Sequence, residues 1–138
     1  MSISDESAPG IVTSPVAMTL RLEAGVVLVL AVLAYRALHG SGWLFAALCL
    51  APDLSMLGYF AGKRIGAAAY NFGHSYLTPA AVALVGVLLQ SNLPYLLAAI
   101  WFAHIGFDRL LGYGLKYPQG FGVTHLGLKG RKPRTQSS

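Results

Sequence analysis

The sequence predicts an all-α protein, an integral membrane four-helix bundle with both termini in the cytoplasm. Three observations carry this. Only 11% of the 138 residues are charged, against 55% hydrophobic, with a mean hydropathy of +0.58. Soluble domains carry about 25% charged residues. Between Arg64 and Asp108, residues 65–107 contain no Lys, Arg, Asp or Glu at all. The basic residues also fall on one side of the expected spans. This composition excludes a soluble globular enzyme, a disordered chain and a disulfide scaffold, and the single Cys49 can form no internal disulfide.

In chain order, residues 1–19 read as a disordered tail. Asp5 and Glu6 precede any basic residue, opposite to a signal peptide, and Pro9, Gly10 and Pro15 discourage helix. Residues 20–38 form the first span, with Arg21, Glu23 and Arg36 near its ends, where long side chains reach the headgroups. His39-Gly40-Ser41-Gly42 breaks it. Residues 43–62 form the second span, which contains Pro52 and Asp53. The charge-free stretch is long enough for two further helices, since a span takes about 20 residues; they read as residues 65–89 and 93–115, the second running on past Asp108 and Arg109. Gln90-Ser91-Asn92-Leu93-Pro94 is the turn between them. Residues 118–138 form a basic tail. Backbone hydrogen bonding in lipid makes the spans helices, and Pro52 and Pro79 are expected to kink theirs.

Orientation follows from the loops. Arg21, Lys63, Arg64, Lys116, Lys129, Arg131, Lys132 and Arg134 share one side, and Arg36 stands on the other, which places both termini in the cytoplasm. The same sorting explains the pI of 9.6 without nucleic acid. The expected partners are the lipid bilayer and anionic lipid headgroups, which the tail can touch, and a second copy of the chain.

The chemistry lies in polar residues inside apolar helices. Asp53 precedes Lys63 by about 15 Å of helical rise, and His74 follows Arg64 by about 15 Å. His104 and Asp108 precede Lys116 by about 18 and 12 Å. Three helices thus present ionisable groups at one depth of the cytoplasmic half. An isolated charge there costs about 2.5–3.5 kcal/mol on insertion scales, so mutual satisfaction is expected. His104 and Asp108 are i and i+4 on one helix face, and Asn71 lies three residues before His74. Two His and two Asp form a complete ligand set for a divalent metal, zinc or manganese. Asn71 and Ser75 are expected to support the ligands, and Arg109, Tyr113 and Lys116 to meet substrate or headgroup where the last helix reaches the interface. His39 reads as a solvated loop residue, Cys49 as packing, and His125 as a further ligand without support from its spacing.

The phrases Ala51-Pro-Asp-Leu-Ser-Met-Leu-Gly-Tyr59, Tyr70-Asn-Phe-Gly-His-Ser-Tyr76 and His104-Ile-Gly-Phe-Asp-Arg-Leu-Leu-Gly-Tyr-Gly-Leu-Lys-Tyr-Pro118, with Gly122-Val-Thr-His-Leu-Gly127, resemble the small bacterial membrane proteins grouped as domain of unknown function 4260. That resemblance implies a multi-pass protein of the bacterial inner membrane and brings no activity. The order Pro-Asp, His-Ser, His-x-x-x-Asp, Tyr-Pro is more distantly similar to YdjM-type inner-membrane metal-dependent hydrolases. It implies Asp53, His74, His104 and Asp108 as catalytic metal ligands. Two departures stand out: Ser55 replaces the second acidic residue, and the first His of the His-Arg-Gly-x-x-His-Ser phrase is missing.

Four functions compete on this reading. The leading one is a metal-dependent membrane hydrolase of a lipid or headgroup ester. A proton- or ion-coupled carrier or channel, dimeric for lack of helices, would use the same residues for titration. A haem bundle with His74 and His104 as axial ligands sits badly with two buried Asp. In a structural or regulatory membrane partner the polar residues would serve only as packing glue.

Overall fold

The structure, a computed structural model, describes residues 14–115 and the backbone of residues 123–124 and 127–128. It is helical apart from one short antiparallel ladder, β1 (Val123–Thr124) with β2 (Gly127–Leu128), which pairs Val123 with Leu128 and Thr124 with Gly127. That ladder falls within the expected basic tail, the rest of which lies outside the described residues, as does most of the expected N-terminal tail.

Helix α1 runs Ser14–Ala37, beginning six residues before the expected start at residue 20. Pro15 was expected to oppose helix. It stands instead in the first turn, where its missing N–H has no partner to lose and its fixed φ suits the helix. His39 takes a left-handed backbone (φ 58°), and Gly40 N donates to Tyr35 O at 3.1 Å, closing the helix end. Ser41 then caps α2 (Gly42–Leu48), its Oγ accepting from Leu44 N at 3.1 Å.

The expected second span is not one α-helix. Pro52 has no N–H to offer the carbonyl of Leu48, and after α2 the chain tightens into a 3₁₀ helix, Ala51–Ala61. Runs of this length are uncommon in 3₁₀ form. The expected third span is also divided, into α3 (Lys63–His74) and α4 (Leu77–Leu89), which meet at a 47° bend. Pro79 is the cause, because its ring excludes the carbonyl four residues back, that of Ser75. The kinks expected at Pro52 and Pro79 are therefore present, as complete breaks. Helix α5 spans Asn92–Leu110 and stops short of residue 115, where Gly112 (φ 92°) turns the chain.

Pro15–Ala37 and Gly42–Ala61 are long and apolar enough to cross a membrane, and the bent α3–α4 pair makes a third candidate if counted as one span. Their outer faces carry large apolar side chains in the open, among them Leu22, Val26, Val29 and Leu33 on α1 and Leu84 and Leu88 on α4. Soluble monomers rarely expose contiguous apolar surface on this scale.

Helix α5 is the centre. It packs against α1 on one side and α4 on the other, while α3 packs against the 3₁₀ helix. A small core of Tyr35, Ala99 and Ile100 with Phe45 and Leu48 joins α1, α2 and α5. The α1–α5 crossing depends on Gly106, whose Cβ position lies 2.8 Å from Ala24 O and 3.0 Å from Leu28 N. Both neighbours are helix backbone and cannot yield. Gly106→Leu is expected to destabilise the protein by about 3 kcal/mol, the upper range of overpacking, measured by denaturant unfolding in detergent. Gly42→Ala, whose Cβ meets nothing within 4 Å, is the neutral control. Equal stability of the two variants would refute this close crossing.

Candidate functional site

The polar site forms where the α1–α4–α5 group meets the 3₁₀–α3 pair. Asp53 comes from the first turn of the 3₁₀ helix, His74 is the last residue of α3, and His104 and Asp108 stand one turn apart on α5. His74 and His104 are almost fully buried, 3% and 4% exposed. Asp108 is 20% and Asp53 39% exposed at the side chain, so Asp53 is the most open of the four.

One atom from each residue converges. His74 Nε2 lies 3.2 Å from Asp53 Oδ1 and 3.4 Å from Asp108 Oδ2. His104 Nε2 lies 3.2 Å from each of the same two oxygens. The two Nε2 atoms are themselves 3.2 Å apart, and all four atoms lie within 4.8 Å of one another. Four ligands about 2.0–2.1 Å from a common tetrahedral centre stand about 3.3–3.4 Å apart. The donor set and five of its six separations therefore fit a divalent ion, the two carboxylate oxygens standing farther apart.

Protons alone serve this cluster poorly. His74 Nδ1 lies 3.0 Å from Tyr70 O and 3.4 Å from Ser55 Oγ. Ser55 spends its only proton on Pro52 O, at 2.7 Å. Both neighbours are thus acceptors for Nδ1, which must carry the hydrogen and leaves Nε2 of a neutral ring as a bare lone pair. The ring of His104 is hydrogen-bonded to the Cys49 backbone. Each Nε2 can hold at most one proton, yet there are five contacts among the four atoms. An outer partner that fixes the ring and turns the far nitrogen inward is the usual support for a histidine ligand. Tyr70 adds to it by stacking on His74, with ring centroids 3.8 Å apart.

The broken end of α3 is built to the same purpose. A helix end leaves carbonyls without intrahelical partners, costly when buried or in hydrocarbon. Here side chains supply the donors. Thr78 Oγ1 donates to Phe72 O, Trp101 Nε1 to Gly73 O at 2.6 Å, and Arg109 Nη2 to His74 O at 3.3 Å. Trp101 and Arg109 belong to α5, so the helix that carries two ligands also holds the end of the helix that carries a third. Gly73 permits the approach from the other side, because a Cβ there would lie 2.7 Å from Ser55 Oγ.

The structure thus brings together Asp53, His74, His104 and Asp108, the four residues expected to converge. Of the two residues expected to support the ligands, Ser75 has another role. Ser75 turns away, its Oγ accepting from Leu77 N at 3.3 Å at the start of α4. Asn71 is half-buried on α3, three residues before His74. Arg109 is engaged with His74 O and lies over the Tyr76 ring, 4.3 Å from its centroid. Tyr113 is exposed beyond α5, and Lys116 and His125 lie outside the described residues. Ser55, Trp101 and Tyr76 were not foreseen. Trp101 alone left a signal, three residues before His104 and so on its helix face.

Beside the cluster is an open apolar cavity of about 220 Å³, lined by Leu48, Ala51, Pro52, Val82, Leu97, Ile100 and Trp101. Pro52 and Trp101 are shared with the site's own framework. Leu48 precedes Asp53, Leu97 and Ile100 precede His104, and Val82 follows His74, so the cavity extends from the cluster toward the end of the molecule that holds the α4–α5 turn.

These features define a helical protein with apolar helices compatible with membrane insertion and a buried Asp2His2 group that could hold a metal ion. The chain belongs to the family described as Domain of unknown function (DUF4260), whose model matches residues 17–128. No curated protein and no solved structure matches it.

Proposed function

We propose that this protein is a multi-pass protein of the bacterial cytoplasmic membrane, with four crossings and both termini inside. In this reading it holds one zinc or manganese ion on Asp53, His74, His104 and Asp108 and hydrolyses an ester of a membrane lipid or its headgroup. The observation that carries the reading is the set of five contacts of 3.2–3.4 Å among four ligand atoms, two imidazole nitrogens and two carboxylate oxygens. Such a cluster calls for a cation. A bound divalent ion supplies Lewis acidity, which acidifies water and polarises an ester oxygen.

The chain's own residues do the rest. His74 and His104, locked by Tyr70, Ser55 and the Cys49 backbone, keep their Nε2 atoms inward. Asp108 is fixed on α5 beside His104. Asp53, the most exposed ligand, is the one free to leave the set and take a proton from water as general base. The apolar cavity accepts hydrocarbon from the substrate, with the ester at Asp53, and the exposed Tyr113 meets the headgroups.

The test is hydrolysis of fluorogenic lipid esters by purified, metal-loaded protein. Chelator should abolish turnover, and Asp53→Asn should lower it by about 10²–10⁴, the range for a lost general base. A fully loaded protein that cleaves no ester of the panel would end the hydrolase reading. A second reading, a proton- or ion-coupled carrier acting as a dimer, is favoured by the broken α3–α4 pair, because half-helix C-terminal ends coordinate cations in transporters. Proton flux in proteoliposomes without hydrolysis would support it.

A further inference from the structure

Next to the four-ligand cluster stands a cation that no carboxylate of the described residues contacts. Arg109 donates one hydrogen bond, to His74 O, and rests on the Tyr76 ring. Among the described residues the ion pairs are all His–Asp, and no carboxylate pairs with Arg109. A guanidinium carries five N–H groups. Beside it the Tyr76 hydroxyl is buried and has no hydrogen-bond partner. The Tyr76 ring is stacked on Phe102, centroids 5.8 Å apart, on top of its contact with Arg109, so it is held on two sides. Buried donors left without acceptors are rare and call for an explanation.

The charge count points the same way. Asp53 and Asp108 balance a divalent ion, and the imidazoles are neutral as ligands. Arg109 then stands half-buried at the broken end of α3 with no carboxylate of the described residues in ion-pair contact, the Glu23 carboxylate of α1 acting on Tyr76 only through space. A neutral ester would leave it there. An oxyanion would neutralise it and give the Tyr76 hydroxyl and the spare guanidinium N–H groups an acceptor together. Arginine binds phosphate oxygens with this kind of charge-assisted geometry.

We infer that Arg109 and Tyr76 form an oxyanion subsite beside the metal cluster, and that the substrate is a phosphate ester. This deepens the hydrolase reading and rests on it. The phosphate belongs either to a lipid headgroup or to a small soluble ester.

The experiment uses the zinc-loaded full-length protein in detergent, with two probes titrated separately by calorimetry: inorganic phosphate, and phosphatidic acid in mixed micelles. Zinc content is measured on every sample. Tyr76→Phe loses no hydrogen bond present in the structure and should keep its zinc and its fold. Its phosphate Kd should nonetheless rise about tenfold, the effect of one hydrogen bond to a charged group. Arg109→Gln should weaken binding about a hundredfold. Tighter binding of phosphatidic acid, with the same ratios across variants, assigns the site to lipid phosphate, and equal binding assigns it to a soluble ester. Unchanged affinity in Tyr76→Phe with zinc retained overturns the subsite, as does a zinc-loaded wild type that binds neither probe, and both results leave the metal site intact. A wild type that holds no zinc overturns the metal reading and removes the charge count with it.

Discussion

Elemental analysis of the detergent-purified protein is expected to find about one zinc or manganese per chain, and none in His74→Ala or His104→Ala. The expectation rests on the number of acceptors. Removing either imidazole leaves three ligands and breaks three of the five short contacts. Apparent binding free energies for structural zinc run to about 10–16 kcal/mol at neutral pH, so loss of a whole ligand should bring retention through purification below detection. Outer partners should matter less and in graded fashion. Ser55→Ala, which removes the weaker of two acceptors at Nδ1 of His74 and leaves Tyr70 O in place, and Trp101→Phe, which frees the Gly73 carbonyl, should weaken affinity by at most about 10–100-fold. Wild-type protein that takes up neither metal on reconstitution, or alanine variants that keep as much as wild type, would refute the site.

The layer of polar residues was legible in the sequence because helical rise converts residue number into depth. Asp53, His74, His104 and Asp108 stood at similar distances from the basic loops, and unpaired charges at that depth are too costly to leave apart. The supporting residues were not legible, for reasons of local geometry. Ser55 faces His74 because the second span is a 3₁₀ helix at that point, with three residues per turn rather than 3.6. Ser75 faces away because α3 ends one residue before it and its side chain caps the next helix. Arg109 sits at the end of an apolar helix, where sequence reasoning points it to the headgroups, yet the opened end of α3 offers it a carbonyl. Both prolines announced a break. Which side chains would answer the freed carbonyls depended on how α5 packs against α3, and no spacing within one helix encodes that.

Stripping the ion is expected to cost the fold more than it costs an ordinary surface site. Without a dication, only protons on the imidazoles can hold two carboxylates and two rings together, and at most two protons reach five contacts. The contacts that no proton bridges then set lone pairs against one another. An ion present at about a thousand times its Kd contributes about 4 kcal/mol to stability, and chelator should remove that amount in denaturant unfolding in detergent. The double variant Asp53→Asn with Asp108→Asn separates repulsion from simple loss of a ligand. Its amides are neutral and bring N–H donors to the bare Nε2 atoms. It should ignore chelator and be more stable than chelated wild type, although less stable than the loaded protein. If chelated wild type is as stable as loaded protein, the cluster is held by its own hydrogen bonds and needs no ion. If the double variant falls below chelated wild type, the carboxylates serve the fold through contacts other than those at the cluster, and the repulsion argument fails while the ligand assignment stands on the metal content alone.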